Sequence, residues 1–501
     1  MKPKTYLAAD LGASSGRVIA GKFDGEKIEL EEFNRFDHSA IESSGNFIWN
    51  ISELWQGIVK GLQIAVDKLD SPPASIGIDT WAVDFVLLDK SNKPLGDAVS
   101  YRDPRTDGMI EKALEILPRY DIFKHSGVQF MQINTLFQLL AIKRQNPELL
   151  NKAKSFLMIP DLFNWRLSGV KCNEFTNATT TQLFDPMLGQ WSDYLLDTFG
   201  IPREMFLDIA QPCTDLGKLN MSEIPISGLS EMRVILPGTH DTASSVFSAP
   251  ASGQLGVCDW CYICLGTWAL VGVESLAPIM SQVVYDLNFT NEGGVGGTTR
   301  VLKNVTGLWL LQECRRTWNE QGRNLDWNEM NNLAQKATPL KSFIDPDDRT
   351  FLCPTDMPEA IKTFCRNSNQ PVPQTEGEIL RCVIDSVAIK LGQAVEMCEQ
   401  ITGVNINTIH IVGGGSKHQL LCQAIADAAA KPVLAGPVES TATGNIMSQA
   451  ITAGDVADIE QAREIIRNSF KLIKFLPNNT NKNQWQQASG FIKNLKLNYK
   501  P

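Results

Sequence analysis

The feature that most constrains the fold is a pattern that occurs twice, once in each half of the chain. Two apolar, β-prone runs at residues 5–9 and 18–23 are joined by a turn of small residues, which predicts a β-hairpin. In the second half, "CYICLGTWALVGVE" at 261–274 is again a strand, a small-residue turn and a strand. Helix and strand patterns follow both hairpins. The recurrence predicts a duplicated α/β fold with a cleft between the halves.

The helix patterns support this division. Residues 52–69 place their apolar side chains on one helical face, with Ser52 as the expected N-cap. Residues 378–398 form a second amphipathic pattern, and "NTIHIVGGGSKHQLLCQAIADAAA" at 407–430 predicts a strand, a glycine turn and a helix. The loop-like "SAPASGQLG" marks a boundary near 245–255. We therefore expect two domains, at 1–248 and 249–501.

The bulk composition limits the class of partner. A chain of 501 residues is long enough for two domains with their own cores. Its 46 basic and 56 acidic residues give a net charge of −10, which disfavours nucleic acid or an anionic membrane as partner. The 11 cysteines lack the spacing of a disulfide scaffold and favour a reducing compartment, the cytoplasm.

Two common nucleotide-binding motifs are absent from the sequence. The Gly-Lys pairs are followed by Phe23 and Leu219 rather than by Ser or Thr, which excludes a P-loop. The glycines at 413–415 follow a strand pattern, but the third glycine of a dinucleotide fingerprint is missing, and the next strand does not end in an acid. A nucleotide would have to bind through other turns.

The turn of the first hairpin carries groups that suit a phosphate. Backbone N–H groups of a tight turn form a concave anion site, and serine hydroxyls add donors. Arg17 can pair with phosphate oxygens through two parallel hydrogen bonds. Asp10 would repel a phosphate unless a cation lay between them, which predicts Mg²⁺ at this carboxylate. The alternative is that the serines and glycines serve turn geometry only.

Two further stretches are candidates for binding an alcohol. In "GTHDTASS" at 238–245, Asp241 is expected at a strand end, where a carboxylate can act as a general base on a hydroxyl. The alternative is that Asp241 only caps the loop as an Asx turn. In "IDTWAVDF" at 78–85, Asp79, Trp81 and Asp84 combine charge with an aromatic ring, which suits a polyol. A half-buried strand with charged ends is the alternative.

These pieces, in this order, resemble the FGGY carbohydrate kinases over nearly the whole chain. The segments that carry the resemblance are "ADLGASSGR" at 9–17, "GIDTWAVDFVLLD" at 77–89, "YRDPRT" at 101–106, "GTHDTASSV" at 238–246, "GTWALVGVES" at 266–275, "NFTNEGGVGGTTRVLKNVTGLWLLQE" at 288–313, "HIVGGGS" at 410–416 and "GPVESTATGNIM" at 436–447.

The resemblance implies a fold and a set of binding residues. The fold would be two actin-like (ribonuclease-H-like) domains flanking a catalytic cleft, with ATP mainly on the second domain and a sugar mainly on the first. The implied nucleotide contacts are Ala13, Ser14, Ser15, Gly16 and Arg17 in a first phosphate loop, Thr267 in a second phosphate turn, Gln312, and Gly414 against the adenosine. The implied sugar contacts are Ala82, His240, Asp241, Thr242 and Asn304. Asp241 would take the proton from the O1 hydroxyl.

The implied activity is transfer of phosphate from ATP, with Mg²⁺, to the O1 hydroxyl of a ketose. L-rhamnulose is the expected substrate, in rhamnose catabolism, and L-fuculose or xylulose are the alternatives. An actin- or chaperone-like ATPase would instead hydrolyse ATP without a sugar. We expect a monomer or homodimer that binds no nucleic acid and no membrane.

The sequence departs from the family pattern at two positions. Ala82 stands where the family usually has glycine, and a Cβ would be strained there if the backbone needed a positive φ. Leu265 precedes Gly266 where serine is commoner. Both departures bear on the identity of the sugar more than on the reaction.

Overall fold

The computed structural model describes residues 3–352 and 354–498. The chain divides into two compact units. The first unit comprises Met1–Gly256, Glu274–Val301 and Ser440–Phe470, and the second comprises Val257–Val273, Leu302–Glu439 and Lys471–Pro501. Neither unit is a single stretch of chain, because segments of the second half pack into the first unit.

The strands, in chain order, are β1 Lys4–Leu11, β2 Ser15–Phe23, β3 Ile28–Asp37, β4 Ile41–Ser43, β5 Asn46–Trp49, β6 Ser75–Thr80, β7 Phe85–Leu88, β8 Ala98–Val99, β9 Ser155–Met158, β10 Asn173–Glu174, β11 Phe184–Asp185, β12 Gln190–Trp191, β13 Ile209–Ala210, β14 Thr214–Lys218, β15 Arg233–Leu236, β16 Trp260–Leu265, β17 Trp268–Ser275, β18 Thr290–Gly293, β19 Thr299–Thr306, β20 Thr408–Val412, β21 Val433–Ala435 and β22 Ile473–Phe475.

The helices are α1 Ile51–Lys68, α2 Met109–Ile116, α3 Arg119–Lys124, α4 Thr135–Gln145, α5 Pro147–Lys152, α6 Ile159–Ser168, α7 Phe175–Ala178, α8 Asp193–Phe199, α9 Asp241–Phe247, α10 Gln282–Asp286, α11 Trp309–Glu320, α12 Trp327–Lys336, α13 Met357–Asn367, α14 Glu376–Thr402, α15 Gln419–Ala429, α16 Ser440–Thr452, α17 Ile459–Ser469 and α18 Lys482–Asn498. Among the described residues, no helix has the length and apolar character needed to cross a bilayer.

The first unit is built on a sheet of order β14-β15-β6-β1-β2-β3. Strands β1 and β2 pair antiparallel from Lys4 opposite Phe23 to Leu11 opposite Gly16, which confirms the first predicted hairpin. Strand β6 then joins β1 in parallel, and β15 joins β6 in parallel. Parallel neighbours end at the same edge of a sheet, so residues that follow β1, β6 and β15 are brought together.

Strand β1 is buried on both faces, as its run of apolar residues predicts. Leu7 and Ala9 belong to the core that α1 covers, whereas Tyr6 and Ala8 belong to a core on the opposite face. Helix α16 closes this second core, and Ile446 lies so near Gly21 that a Cβ there would stand 2.7 Å from its Cδ1. Helix α16 is thereby part of the first unit although it comes late in the chain.

The second unit contains a sheet of strand order β19-β17-β16-β20-β21-β22, to which β19 contributes its residues from Leu302 onward. Strands β16 and β17 pair antiparallel, which confirms the second predicted hairpin. Strand β20 joins β16 in parallel, β21 joins β20 in parallel, and β22 is antiparallel. This is the connectivity of the first sheet repeated, and it confirms the predicted duplicated α/β fold.

The predicted helices are present with small changes at their ends. Helix α1 is capped by Asn50, whose Oδ1 accepts the N–H of Glu53 at 3.2 Å, so the expectation of Ser52 as N-cap was wrong. Asn50 is the cap because the helix begins at Ile51, two residues before the start that an N-cap at Ser52 would give. The boundary segment 248–256 is a loop as predicted, but residues 245–247 still belong to α9.

Candidate functional site

The first hairpin turn holds the charged pair that the sequence singled out. Asp10 and Arg17 are direct partners in the β1–β2 register, and their side chains form an ion pair. The Asp10 carboxylate is buried, whereas the Arg17 side chain is one-fifth exposed. Each charge therefore already has a partner in the protein. A phosphate that takes Arg17 and a cation that takes Asp10 would have to replace this pair together.

The remaining residues of the turn differ in how accessible they are. Ser14 is exposed, and Ala13 and Ser15 are half-buried, so their polar groups are accessible to a ligand. Gly12 N–H donates to Ser15 O at 2.9 Å and closes the turn. Gly16 is buried, and a Cβ there would lie 2.3 Å from Cζ of Phe36. The glycine at position 16 is thus required by packing against the Phe36 ring.

A second carboxylate lies beside Asp10 on the neighbouring strand. Asp79 on β6 is the register partner of Asp10, and Asn445 on α16 donates a hydrogen bond to its Oδ2. Burial raises the pKa of Asp79 well above its ordinary value, and the charges of Asp10 and Asp241 raise it further. The carboxyl groups of Asp10, Asp79 and Asp241 therefore interact electrostatically at this edge of the sheet. Positive charge bound there would be stabilised.

Asp241 is the first residue of α9, next to the edge of the same sheet. The preceding His240 forms an isolated parallel bridge with Thr80, at the end of β6. Oδ1 of Asp241 accepts the N–H of Thr242 at 2.6 Å and the Thr242 hydroxyl at 3.1 Å. Burial raises the pKa of the Asp241 carboxyl, His240 opposes this, and Asp10 adds to it. The side chain is 30% exposed, so it is accessible to a substrate, unlike Asp79.

His240 joins Asp241 to a buried ion pair that the sequence did not assign. Its Nε2 lies 3.4 Å from Oδ1 of Asp241, and its Nδ1 lies 3.2 Å from Nη2 of Arg300 and 3.3 Å from Oε2 of Glu292. Arg300 Nη2 is also 3.2 Å from Glu292 Oε2. Glu292 is on β18 and Arg300 is at the start of β19, both within the first unit.

Glu174 holds the backbone just before Asp241. Its carboxylate accepts the N–H of Thr239 at 3.2 Å and the Thr239 hydroxyl at 2.6 Å, and it also accepts two backbone N–H groups at the start of α7. His240 N–H donates to the hydroxyl of Thr176, which itself donates to Glu174. Burial raises the pKa of Glu174. This buried carboxyl therefore fixes the chain that presents His240 and Asp241.

The backbone after β6 is strained at Val83, one residue later than Ala82, where the sequence analysis considered strain. Positive φ falls on Val83, at 67°, and not on Ala82, so the Cβ of Ala82 carries no such strain. A β-branched residue in this conformation is rare and needs support from its surroundings. Val83 O accepts the hydroxyl of Thr135 at 2.7 Å and the side-chain amide of Gln138 at 3.2 Å. Helix α4 thus holds the strained peptide.

Asp84 is a structural carboxyl rather than an accessible sugar ligand. It is buried, and it accepts the indole N–H groups of Trp49 at 2.6 Å and Trp81 at 3.0 Å. The N–H of Tyr101 and the amide of Gln138 complete its contacts at 3.1 and 3.0 Å. Burial raises the pKa of Asp84 to about 6. Asp84 therefore orients the two indoles, whose ring centroids are 4.3 Å apart.

The second hairpin turn is held by hydrogen bonds between uncharged groups. Thr267 Oγ1 donates to Oε1 of Gln312 on α11 at 3.1 Å, so the structure brings these two sequence-predicted residues together. Gly307 and Trp309 donate their N–H groups to Thr267 O. A Cβ on Gly307 would lie 2.5 Å from Gly266 O, so only glycine fits against this turn.

Gly414 and Gly415, in the turn after β20, have different surroundings. A Cβ on Gly415 would lie 2.3 Å from Cγ of Leu265, whereas a Cβ on Gly414 would meet nothing within 4 Å. Gly415 is needed for packing, and Gly414 presents open backbone. Leu265 is thereby explained as the residue that fills the space beside Gly415. Asn304, the remaining predicted sugar contact, lies half-buried on β19 in the second unit.

The family is decided by matches that span both halves of the chain. Residues 5–248 match the N-terminal domain of the FGGY family of carbohydrate kinases, and residues 261–453 match its C-terminal domain. The chain belongs to the FGGY family of carbohydrate kinases. It is therefore a phosphotransferase that uses ATP and a sugar. The two family domains divide the chain by sequence, whereas the compact units interleave across that division.

Similar proteins include several named rhamnulokinases. That of Oceanobacillus iheyensis is 44% identical over 94% of this chain and 97% of its own length. Those of Halalkalibacterium halodurans and Bacillus subtilis are 43% and 39% identical, with 98% and 95% of their lengths covered.

Solved structures of the same fold are more distant in sequence. A ligand-bound xylulose kinase from Lactobacillus acidophilus superposes with a TM-score of 0.81 at 16% identity, over 99% of this chain and 98% of that one. Plasmodium falciparum glycerol kinase with ADP gives 0.79 at 15% identity, over 100% of this chain and 99% of that one. These two likenesses support the fold alone.

Three residues of the site could not be identified from local sequence. Glu174, Glu292 and Arg300 are buried charged residues that act on positions 239–241 from distant parts of the chain. The only sequence indication was that residues 288–313 form one of the family-like segments. Their roles require the fold, because no spacing links them to Asp241.

Proposed function

We propose that this chain transfers the γ-phosphoryl group of ATP to the O1 hydroxyl of L-rhamnulose. The support for this substrate is the identity of up to 44% with named rhamnulokinases over almost their whole length. The support from the site is Asp241, a partly exposed carboxylate among buried ones, at the first residue of α9. This carboxylate is the single observation on which the proposed chemistry depends.

Asp241 acts as the general base through one of its two oxygens. Oδ1 is engaged by Thr242 and faces His240, while Oδ2 forms no hydrogen bond with the described part of the protein. Oδ2 accepts the proton of the sugar O1 hydroxyl as the bond from O1 to phosphorus forms. The bond from phosphorus to the bridging oxygen of ATP breaks, and ADP leaves. Proton transfer of this kind contributes about 10²–10⁴ in rate.

The residues at the sheet edge of the first unit fit the ligand preference of Mg²⁺. The donors at the sheet edge are oxygens, and Mg²⁺ is usually held by one or two carboxylates and the substrate phosphates. Among the described residues, no group of three acids, histidines or cysteines could hold a metal alone, which agrees with a shared site. We propose that Asp10 holds the ion. When bound, it neutralises charge on the transferring phosphate.

The two hairpin turns are proposed to bind the triphosphate and nucleotide. In the first turn, Ala13, Ser14, Ser15, Gly16 and Arg17 would supply backbone donors, hydroxyls and a guanidinium. In the second unit, Thr267, Gln312 and Gly414 would contact the nucleotide. For the sugar, we propose Ala82, His240, Thr242 and Asn304 in addition to Asp241.

A coupled assay of ADP release over a panel of ketoses tests the function. We expect the highest kcat/KM with L-rhamnulose and lower values with L-fuculose and xylulose. Asp241→Asn should lower kcat by about 10²–10⁴ because the base is lost. Calorimetric titration should show that this variant still binds ADP.

Asp215→Asn is the matched control, because Asp215 lies at an exposed ion pair with Arg233 on β15. It should leave kcat unchanged. ATP turnover that does not depend on any sugar would contradict the proposal and favour an actin- or chaperone-like ATPase. Full activity of Asp241→Asn would refute the role of the base.

We also propose the cytoplasm as the compartment and a monomer or homodimer as the assembly. The ten described cysteines are free thiols, which fits a reducing environment. Fractionation of cells and light scattering of the purified enzyme test these two points.

A further inference from the structure

The contact between His240 and Arg300 determines where the imidazole carries its hydrogen. Nη2 of Arg300 is hydrogen-bonded to Nδ1 of His240 at 3.2 Å. A guanidinium has donors only, so Nδ1 is the acceptor in this hydrogen bond. Oε2 of Glu292 also lies 3.3 Å from Nδ1, but it forms no hydrogen bond with the described residues. The hydrogen of the neutral ring is then on Nε2. That atom is the one that faces Oδ1 of Asp241, at 3.4 Å.

We propose that Arg300, with Glu292, is a positioning element for catalysis, which fixes His240 in the tautomer that donates from Nε2 to the base Asp241. This inference rests on the proposed role of Asp241. His240 would then keep Oδ1 of Asp241 occupied, so that Oδ2 is the oxygen that takes the sugar proton. In the opposite tautomer, Nε2 has no hydrogen to donate, and the bond to Oδ1 of Asp241 could not form.

The burial of the Arg300–Glu292 pair supports a role beyond stability. The Arg300 side chain has no exposed surface, and that of Glu292 is 6% exposed. Buried ion pairs are weak sources of stability, since apolar replacements often do as well. Arg300 is also oriented by a second bond, from Nε to Gly293 O at 2.8 Å. The guanidinium is therefore held in one direction, toward His240.

The charges around the ring are consistent with this arrangement. The Glu292 carboxylate lies 3.2 Å from Nη2 of Arg300. Glu292 is thus an anion that balances Arg300. Two groups lie 3.2 Å from Arg300 Nη2: Nδ1 of His240 is hydrogen-bonded to it, whereas Oε2 of Glu292 is in ion-pair contact and forms no hydrogen bond with the described residues.

The first test measures the tautomer in the substrate-free enzyme. The chain has five histidines, so ¹⁵N-labelled histidine gives few signals, and His240→Asn identifies the relevant one by its loss. Long-range ¹H–¹⁵N correlations at alkaline pH distinguish a hydrogen on Nε2 from one on Nδ1. We expect Nε2–H in the wild type and a mixture of tautomers in Arg300→Met. Arg300→Lys keeps a donor and should retain more of the Nε2–H form than Arg300→Met.

The second test measures turnover against a matched control. Arg463 and Glu274 form another buried Arg–Glu pair of the first unit, at 2.9 Å, and Arg463 also donates to Phe247 O at the end of α9 opposite Asp241. Arg300→Met and Arg463→Met should both lower the melting temperature. After correction for the folded fraction, only Arg300→Met should lower kcat, by about 10–100-fold, with KM for ATP unchanged. In a His240→Ala background, Arg300→Met should add little further loss.

Three results would overturn the inference. They are an Nδ1–H tautomer in the wild type, an unchanged tautomer in Arg300→Met, or equal kcat in Arg300→Met and Arg463→Met. If Arg300→Met does not fold, the wild-type tautomer and Arg300→Lys still decide. Failure of the enzyme to phosphorylate L-rhamnulose would contradict the proposed function, whereas the tautomer is measured without any substrate.

Discussion

The two sheets share one connectivity but differ in chemistry at the equivalent edge. In each sheet, the two hairpin strands pair residue by residue up to the turn. The pair of residues one step before the last pair can be compared directly between the two hairpins. In the first unit this pair is Asp10 and Arg17, and in the second unit it is Cys264 and Leu270. The strand alongside contributes Asp79 in the first unit and Val412 in the second.

This difference shows that the duplicated backbone does not fix the function of its edge. Sheet geometry places three side chains together in both units, but only the first unit fills those positions with charge. Charge at such a site carries the cost of desolvation, as the raised pKa of Asp79 shows. An apolar set has no such cost, which fits the proposal that the second turn binds through backbone and hydroxyl groups.

The largest expected effect comes from removing the charge of the first turn. Asp10→Asn should lower kcat by about 10²-fold or more, because it removes the carboxylate proposed to hold the Mg²⁺ that neutralises the transferring phosphate. Cys264→Ser, at the equivalent position of the second sheet, should leave kcat within about twofold because it changes no charge. The coupled assay compares both variants. Equal losses in the two would remove the distinction between the sheets.

A second prediction separates packing from binding in the second unit. Gly415→Ala should lower the free energy of unfolding by about 1–3 kcal/mol, because its Cβ would overlap Leu265. Gly414→Ala should leave stability unchanged and weaken ADP binding, since its neighbourhood is open. Urea unfolding and calorimetric titration measure the two effects. The proposed role of Gly414 fails if ADP binds its alanine variant with unchanged affinity.

A smaller effect is expected at the neutral turn. Thr267→Val removes the hydroxyl that bonds Gln312, and a lost hydrogen bond is worth about 0.5–1.5 kcal/mol. The KM for ATP should rise accordingly, by severalfold, while Thr267→Ser keeps the hydroxyl and should retain wild-type values. If Thr267→Val lowered kcat as much as Asp10→Asn does, the second turn would be as important as the first for stabilising the charge of the phosphate.

The smallest effect on turnover is expected at the buried acids that the first unit concentrates, which act on stability instead. Burial raises the pKa of Asp161 to about 8, and no basic group among the described residues pairs with it. The folded protein therefore holds this proton at pH values where the unfolded chain has lost it. The associated stability is complete at acid pH and is lost as the pH rises through about 8. Asp161→Asn should flatten this dependence, measured as the urea midpoint against pH. An unchanged slope would assign the pH dependence to other groups.

Much of the local structure could be predicted from the sequence. The two hairpins and helices α1, α14 and α15 follow from apolar periodicity and turn residues, which are local properties of the chain. Asp241 was identified for the same reason, since it follows an apolar run and opens a segment of small residues. The N-cap at Asn50 was missed because capping is decided by the first turn of the helix rather than by its apolar face.

The buried network behind the site could not be predicted in this way. Glu174, Glu292 and Arg300 read as ordinary polar residues, and only folding brings them to His240 and Thr239. Likewise, the position of the strained peptide at Val83 depends on hydrogen bonds from α4. These contacts join residues from 52 to 65 positions apart, so no local pattern contains them.

The sequence by itself determined that the chain folds into a repeated hairpin architecture, since periodicity and turn chemistry act over a few residues. The tertiary structure decided that Asp10 pairs with Arg17 and lies beside Asp79, and that His240 is oriented by Arg300. The physical reason is that register between distant strands, and the burial that shifts a carboxyl pKa, exist only after the whole sheet has assembled.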